Sequence, residues 1–332
     1  MIHQGTLSRT DPLYGYLCAD ILPQLGMAGG GRDFEVYKFL ASNHVYLYED
    51  RRSGTRLIGK FFDSIDDRPG ETAYRHMERE YSNLQHLRGI GFTGYPHYVA
   101  RPLGKNPRLN CLLVEEYCYG IPLNDFIMAV IHHGQRDALF ERLTALAWFL
   151  ATLHNRTART ERVDASRDCA YFGGIVEQLR QWGHLSYGEA AAFHRMKEQW
   201  REKVFMWEDN QVLVHGDVTP TNMLFGEPPW VIAIDLERMK AADRVFDVGR
   251  IAAELKHFFL QYRNDPGGAE PFIGHFLWEY ACHFPDRERA FQSICRRIPF
   301  HMGMTFLRIA RNFWITGAHR RRLIDEARET LK

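Results

Sequence analysis

The sequence lacks the features that would indicate a membrane, zinc-binding or nucleic-acid-binding protein. No run of roughly 18 apolar residues occurs, so no membrane-spanning helix is expected. The six cysteines form neither a CxxC pair nor a zinc-ligand spacing. A formal net charge of +1 is far from the basic excess of a nucleic-acid binder. No charged-then-apolar leader begins the chain. We therefore expect a cytoplasmic protein without nucleic-acid partners.

The remaining composition is typical of a globular protein. Hydrophobic residues make up 45% and charged residues 25% of the 332 positions. That length suffices for one large domain or two modest ones, each with its own core. No internal repeat or low-complexity segment is visible, and no pattern indicates an oligomeric state. Composition alone therefore indicates no function, and the indications come from local motifs.

Residues 212–237, VLVHGDVTPTNMLFGEPPWVIAIDLE, hold the most informative polar pattern. Asp217 stands five positions before Asn222, and an apolar strand then leads to Asp235. Magnesium prefers hard oxygen ligands and usually takes one or two carboxylates from a protein. Asn222 and Asp235 are therefore candidate magnesium ligands beside a nucleoside triphosphate, while Asp217 would orient an incoming hydroxyl and accept its proton. In the alternative interpretation, Asp217 and Asn222 form a hairpin turn and Asp235 caps a helix.

The stretch HGDVTPTN followed by VIAIDLE resembles the catalytic segment of the aminoglycoside phosphotransferase and choline kinase superfamily, small-molecule relatives of the protein kinases. That family uses HGDxxxxN and then an IDxx segment, whereas protein kinases use an HRD-type loop and a DFG segment. The resemblance implies an ATP-dependent kinase that uses Mg²⁺ and phosphorylates a hydroxyl group of a small-molecule acceptor. In some members an acid at the position of Glu237 assists a second metal ion; alternatively, Glu237 caps the next turn.

The segment before the motif carries a second pair of candidate residues. Residues 34–62 alternate as an antiparallel meander, and Lys60 lies in its third strand. Residues 72–90 form a predicted amphipathic helix with Glu78 and Glu80. In the kinase fold a strand lysine binds the α- and β-phosphates, and a helix glutamate holds that lysine by an ion pair. The resemblance assigns these roles to Lys60 and Glu80, with Glu78 in reserve. The alternative is an exposed lysine beside a solvated helix face.

Two further segments would complete a nucleotide site. Ser42 and Asn43 lie in the turn between the first two strands, where this chain has no glycine. They either donate hydrogen bonds to the phosphates or belong to an ordinary turn. A later apolar strand resembles the hinge between the lobes of the family's fold. By that match, Val114 lines the purine pocket, and the backbone of Glu115 and Tyr117 bonds to the base edge.

Downstream of this strand the pattern is mostly helical. With the resemblance, it predicts an α+β, protein-kinase-like bilobal fold: a small antiparallel β-sheet N-lobe with one helix, and a larger, mainly α-helical C-lobe. We expect an N-terminal extension with a short helix at 1–33 and a nucleotide-binding N-lobe at 34–117. The C-lobe at 118–332 would hold the catalytic loop and the acceptor-binding helices. Asp247 is expected to brace the catalytic loop through the loop backbone.

The C-terminal region bears on the nature of the acceptor. The segment 289–324 contains no Asp or Glu. Its eight arginines are Arg289, Arg296, Arg297, Arg308, Arg311, Arg320, Arg321 and Arg322. Family members that modify aminoglycosides hold a polycation with carboxylates from this region, and arginines have the wrong charge for that. A neutral or anionic acceptor, such as a sugar or a phosphorylated or carboxylated metabolite, fits better. Alternatively, the arginines pair with acids such as Asp63, Asp66 and Asp67, or face water.

Two other functional hypotheses follow from the same motifs. The site would also serve a kinase that acts on a protein or on a bacterial surface glycan. A catalytically inactive, nucleotide-binding pseudokinase is the third hypothesis. Every polar group expected of an active site is present in the sequence, which argues against it.

Overall fold

The chain forms two structural units. The computed structural model describes residues 1–27, 29, 31–40, 44–63 and 70–332. The first unit comprises Met1–Gly120 and Ile232–Glu237. The second comprises Ile121–Val231 and Arg238–Lys332. Each unit is compact, with most of its contacts inside the unit.

Strands dominate the first unit. In chain order, the strands of the described residues are β1 (Ile2–Thr6), β2 (Phe34–Lys38), β3 (His44–Asp50), β4 (Arg56–Phe61), β5 (Thr93–Gly94), β6 (His97–Val99), β7 (Pro102–Asn106), β8 (Leu112–Glu116), β9 (Ile121–Pro122), β10 (Val212–Val214), β11 (Met223–Gly226), β12 (Trp230–Ala233) and β13 (Lys240–Ala242). Six of them make an antiparallel sheet of the first unit in the order β1-β2-β3-β4-β8-β7. In the second unit, β9 pairs with β11 and β10 with β13.

Helices dominate the second unit. The α-helices of the described residues are α1 (Pro12–Tyr16), α2 (Gly70–Gly89), α3 (Leu123–His133), α4 (Arg136–Arg156), α5 (Ala165–Gln181), α6 (Tyr187–Arg201), α7 (Val245–Arg263), α8 (Glu270–Ala281), α9 (Arg287–Ala310) and α10 (Gly317–Leu331). All from α3 onward belong to the second unit. Among these described helices, none is both long enough and apolar enough to cross a membrane.

The predicted fold class is confirmed. The antiparallel meander predicted at 34–62 is β2, β3 and β4, and the helix predicted at 72–90 is α2. The alternation of apolar and polar side chains located the strands, and the 3.6-residue period located α2. The rest of the chain is mainly helical, as the 3.6-residue pattern indicated.

The N-terminal segment differs from the predicted extension, because it is built into the first unit. β1 pairs antiparallel with β2 at the edge of the sheet. The sequence did not predict this strand, because its side chains are mostly exposed and show no apolar face. Backbone pairing with β2, rather than side-chain burial, defines it.

The short helix predicted within the N-terminal extension is also more irregular than expected. α1 is followed by a π-helical turn, Leu17–Ile21, and a 3₁₀ turn, Leu22–Leu25. Together they bury four side chains against the sheet of the first unit: Leu13, Leu17, Ile21 and Leu22. This segment therefore supplies part of the core that lies under β4 and β8.

The unit boundaries depart from the predicted lobes in a second place. Ile232–Glu237 belongs to the first unit, although the sequence analysis placed it in the C-lobe. Asn83 of α2 donates a hydrogen bond to the Leu236 carbonyl at 2.8 Å, and the Ala100 N–H donates to the Ala233 carbonyl at 3.3 Å. The assignment of the units to nucleotide and acceptor binding stays a prediction.

Leu17→Ala should lower the free energy of unfolding by about 2–5 kcal/mol, because it leaves a cavity in a fully buried cluster. Denaturant unfolding followed by circular dichroism measures the change. Leu40→Ala is the matched control, since Leu40 is 81% exposed, and it should cost less than about 0.5 kcal/mol. Equal effects of the two substitutions would show that the N-terminal segment is not part of the core.

Candidate active site

A buried ammonium group lies among carboxylates in the first unit. Lys60 of β4 has its Nζ 2.5 Å from Glu80 Oε1, 3.2 Å from Glu115 Oε1 and 3.9 Å from Asp235 Oδ1. The Lys60 side chain is 11% exposed. Burial by itself lowers the pKa of Lys60, but the carboxylates of Glu115, Glu80 and Asp235 outweigh it and hold the pKa well above its ordinary value. Lys60 is therefore charged at neutral pH.

Helix α2 explains why Glu80, rather than Glu78, reaches Lys60. Glu80 shares the buried face of the helix with Met77 and Leu84, at helical spacing. Glu78 points elsewhere and forms an ion pair with Lys105 of β7. The predicted ion pair between Lys60 and Glu80 is thus present, and the reserve residue is not needed.

The register of β4 against β8 corrects two predictions about the hinge strand. Ile58 lies opposite Glu115, whereas Gly59 lies opposite Val114. Side chains alternate between the faces of a sheet, so Glu115 shares the face of Lys60 and Val114 occupies the other face. Val114 packs there in the apolar cluster with the N-terminal segment. The prediction that Val114 lines a purine pocket is therefore wrong, and the Glu115 side chain matters more than expected.

The other residues predicted to contact the nucleotide are Ser42, Asn43 and Tyr117, with the backbone of Glu115. Ser42 and Asn43 lie outside the described residues. The Tyr117 ring packs edge-on against Tyr119, with centroids 4.8 Å apart, and lies 5.4 Å from the Arg56 guanidinium. Backbone contacts of Glu115 and Tyr117 with a base stay predictions.

Three acids of the first unit form a candidate cation site. Carboxylate oxygens of Glu80, Asp235 and Glu237 all lie within 4.8 Å of one another. Asp235 has a left-handed backbone, with φ 65°, which costs on the order of 1 kcal/mol and is typical of functional sites. Glu115 also lies 3.2 Å from the Lys60 ammonium, so four acidic side chains gather near this one cation. Carboxylates therefore outnumber cations here.

The donor set fits a divalent cation. Oε2 of Glu80 is buried and has no hydrogen-bond partner among the described residues. Magnesium takes oxygen ligands at about 2.0–2.1 Å, often one or two carboxylates. Asp235 and Glu237 supply such oxygens at compatible separations, and a divalent charge would offset the surplus of carboxylates. The predicted metal ligand Asn222 belongs to the second unit.

In the second unit, Asp247 braces the loop that carries Asp217. The N–H groups of His215 and Gly216 donate to the Asp247 carboxylate at 2.7 and 3.0 Å. His154 Nε2 lies 3.2 Å from the same carboxylate. Burial alone raises the pKa of Asp247, but these hydrogen bonds and His154 bring it below its ordinary value. The predicted brace is confirmed.

Two further contacts shape the loop. Gly216 has φ +81°, and a Cβ there would lie 2.2 Å from the Arg238 carbonyl oxygen, so only glycine fits. The amide NH₂ of Asn222 donates to the Asp217 carbonyl at 3.0 Å. The Asp217 N–H in turn donates to His215 Nδ1 at 3.3 Å. The loop backbone is therefore held on both sides of Asp217.

The Asp217 carboxylate faces arginines. Arg250 Nη1 lies 2.7 Å and Arg308 Nη2 2.6 Å from Asp217 Oδ1, and Arg238 Nε lies 3.5 Å from Oδ2. Burial by itself raises the pKa of Asp217, but the guanidinium groups of Arg308, Arg250 and Arg238 reverse the shift and hold the pKa below its ordinary value. Asp217 is therefore ionised at neutral pH.

Arg308 belongs to the arginines singled out from the sequence, whereas Arg250 and Glu254 were not predicted as site residues. Arg308 also approaches Glu254 of α7, at 3.9 Å. A signal was present: Asp247, Arg250 and Glu254 follow one another at i, i+3 and i+7, and the residues between them are apolar or glycine. This spacing places the three on one buried face of the helix.

The other C-terminal arginines mostly hold the second unit together. Arg297 is buried and pairs with Asp209 and Asp243 at 2.8 and 2.7 Å. Arg321 pairs with Glu189 and Asp325. For these two, the alternative of pairing with acids is correct, although the acids differ from those suggested.

Comparisons with known proteins agree with this fold. The model of the phosphotransferase enzyme family matches residues 34–281. A choline kinase from Cryptosporidium parvum Iowa II superimposes with a TM-score of 0.62 at 11% identity, over 96% of this chain and 92% of that chain. An ethanolamine kinase from Plasmodium vivax gives a TM-score of 0.58 at 13% identity, over 90% and 80%. A macrolide 2'-phosphotransferase type I gives 0.56 at 17% identity, over 99% of both chains.

None of the curated proteins matches the chain in sequence. The structural similarities are at low identity and describe the fold. The family match covers most of the chain, including the HGDVTPTN segment and the Lys60 strand. The chain therefore belongs to the phosphotransferase enzyme family and has a protein-kinase-like fold.

Proposed function

We propose that this phosphotransferase moves the γ-phosphoryl group of ATP to a hydroxyl group of a small-molecule acceptor that is neutral or anionic. One observation carries the proposal: a buried lysine is paired with a helix glutamate beside the Asp235 carboxylate. This is the arrangement with which kinases hold triphosphate. Solved structures of similar fold are named as choline, ethanolamine and macrolide phosphotransferases, which supports a small-molecule acceptor.

Lys60 would bind the α- and β-phosphates. Its pairing with Glu80 and Glu115 fixes the ammonium in one place, so little reorganisation is needed when phosphates arrive. Glu80 would act by positioning Lys60 rather than by touching the nucleotide. The low accessibility of the pair excludes water and strengthens its electrostatic effect.

Asp235, Glu237 and Asn222 would hold magnesium. When bound, the ion neutralises charge on the phosphates that is not already balanced by Lys60. Glu237 lies close enough to Asp235 to share an ion, which supports its metal role over the alternative of a simple cap. Asn222 has its NH₂ bonded within the loop, so its carbonyl oxygen would be the ligand atom.

Asp217 would orient the acceptor hydroxyl. The hydroxyl oxygen attacks the γ-phosphorus, the bond from phosphorus to the β–γ bridging oxygen breaks, and ADP leaves. The hydroxyl proton passes to the Asp217 carboxylate. The arginines keep this carboxylate ionised and weakly basic. A weak base is sufficient for a loose transition state of phosphoryl transfer, because there the position of the hydroxyl matters more than early removal of its proton.

The charge around Asp217 argues against a polycationic acceptor. Arg250 and Arg308 contact the carboxylate directly, and Arg238 lies beside it. A cationic antibiotic or amino alcohol at this carboxylate would lie close to the positively charged guanidinium groups. Like charges brought together at a binding interface cost roughly several kcal/mol of binding free energy. A neutral or anionic alcohol meets no such repulsion.

Asp217→Ala should remove turnover by a factor of at least about 10³, since orientation and proton acceptance are both lost. Binding of MgATP should change by less than about threefold. Coupled ADP-release kinetics and calorimetric titration with a non-hydrolysable ATP analogue measure the two quantities. Full activity in this variant would remove Asp217 from the mechanism. Asp137→Ala, at an exposed position of α4, is the control.

Asp235→Ala should abolish the magnesium dependence of nucleotide binding. The wild-type chain should bind ATP tightly with Mg²⁺ and weakly after addition of EDTA, whereas the variant should bind weakly in both conditions. Thermal shift with ATP, with and without Mg²⁺, is the measurement. A variant that keeps the wild-type difference between the two conditions would contradict the assignment of Asp235 as a metal ligand.

A further inference from the structure

The surroundings of Asp217 in the second unit contain more positive charge than one carboxylate can balance. We call Arg250, Arg308 and Arg311 the arginine cluster. Arg250 and Arg308 share a single oxygen of Asp217, at 2.7 and 2.6 Å. Arg311, three residues beyond Arg308, hydrogen-bonds to the neutral amide oxygen of Gln178 at 2.9 Å. The acid nearest to Arg308, apart from Asp217, is Glu254 at 3.9 Å.

Glu254 does not restore the balance. Burial raises the pKa of Glu254 to about 7, and the two guanidinium groups beside it do not overcome the effect. The carboxyl group is therefore only partly ionised near neutral pH. Burial and the neighbouring Arg308 likewise lower the pKa of Arg250 below its ordinary value, in spite of Asp217. Burial is the larger cause, and the like charge of Arg308 adds to it.

Hydrogen-bonding capacity is also left over. The Nε atoms of Arg250 and Arg308 are both buried, and neither has an acceptor among the described residues. Arg250 is 2% exposed as a whole. A buried donor without a partner costs about 1–3 kcal/mol, so such donors in a native protein need an explanation. The donor of Arg308, a partly exposed residue, points to an acceptor group that a ligand would bring.

A tyrosine extends the same surface. The pKa of Tyr171 on α5 is raised by burial, but Arg250, Arg308 and Arg311 reverse the effect and leave it lowered. The positive charge of Arg250 on α7, Arg308 on α9 and Arg311 directly after α9 therefore acts on the phenol. A phenolic O–H beside guanidinium groups is a further donor for an oxyanion.

We propose that the acceptor carries an oxyanion, a phosphate or a carboxylate, in addition to its reacting hydroxyl, and that Arg308 and Arg311 bind this oxyanion beside Asp217. The proposal rests on the proposed function, because it assigns the acceptor class of the same site. Arg308 and Arg311 are the members that can meet a ligand, since both are partly exposed while Arg250 is buried. A planar guanidinium suits the bidentate recognition of either oxyanion.

The geometry limits the size of the acceptor. Arg308 contacts Asp217 at 2.6 Å. Hydrogen bonds of about 2.8 Å from the same guanidinium place an oxyanion on the order of 5 Å from the Asp217 carboxylate. The hydroxyl and the oxyanion are therefore separated by only a few bonds, as in a hydroxy acid or a sugar phosphate.

Matched acceptor series test the proposal by ADP release. Glycerol, glycerol 3-phosphate and glycerate form one series, and glucose, glucose 6-phosphate and gluconate form another. An anionic member should exceed its neutral parent in kcat/KM by at least about tenfold, since a charge-assisted hydrogen bond contributes roughly 1.5–3 kcal/mol. The better member of each series tells phosphate from carboxylate. Equal or better turnover of the neutral parents would overturn the proposal.

Variants separate acceptor binding from nucleotide binding. Arg308→Gln should raise the KM for the anionic acceptor by about 10- to 100-fold and change the KM for ATP by less than about threefold. Arg308→Lys should recover part of the lost acceptor affinity, since lysine restores the positive charge but not the bidentate geometry of a guanidinium. Arg296→Gln, at an exposed position of the same helix, is the control. A rise in the KM for ATP instead would assign the cluster to the nucleotide and overturn the proposal.

A binding measurement decides the matter without turnover. With saturating MgADP present, inorganic phosphate or citrate should raise the Tm of the full chain, and Arg308→Gln and Arg311→Gln should each remove most of that shift. Equal shifts in the wild type and both variants, or no shift at all, would overturn the proposal. Absence of any Tm change with MgATP would instead count against the proposed function, so the two failures are distinguishable.

Discussion

Buried charge is the constraint on which the charged clusters of each unit depend. An ion removed from water costs several kcal/mol unless it is paired. In the first unit, Lys60 forms ion pairs with Glu80 and Glu115 and offsets part of their desolvation. Carboxylates remain in excess around Asp235. In the second unit the imbalance has the opposite sign, because arginines exceed the carboxylate of Asp217. Each cluster is therefore suited to a ligand that brings the missing charge.

The position of Asp217 is set by packing beneath the loop rather than by groups at the surface. Asp247 is fully buried and accepts from two successive backbone N–H groups, and His154 links it to the Tyr280 hydroxyl, 2.7 Å away. Gly216 permits the turn that brings Asp217 out of this network. Because interiors are closely packed, the loop has little freedom to move the carboxylate. The fixed position of the Asp217 carboxylate is thus a consequence of a closely packed scaffold.

Much of the fold and part of the site could be predicted. The helix α2, the strands β2 to β4 and the pairing of Lys60 with Glu80 followed from side-chain spacing and the resemblance. The error at Val114 came from treating the hinge strand as a backbone element without a register. β1 was missed because its side chains carry no apolar pattern, and only pairing with β2 makes it a strand.

Local sequence establishes which residue types stand at which spacing, and therefore the family, the motif and the helix face of Glu80. The identity of the partners was decided by long-range packing. Arg250 and Arg308 lie 33 and 91 positions from Asp217 in the chain, yet α7 and α9 bring both to one carboxylate oxygen. Glu115 reached Lys60 because the register of two antiparallel strands turned it to that face. Spacing within one element cannot specify such contacts, because they depend on how separate elements pack.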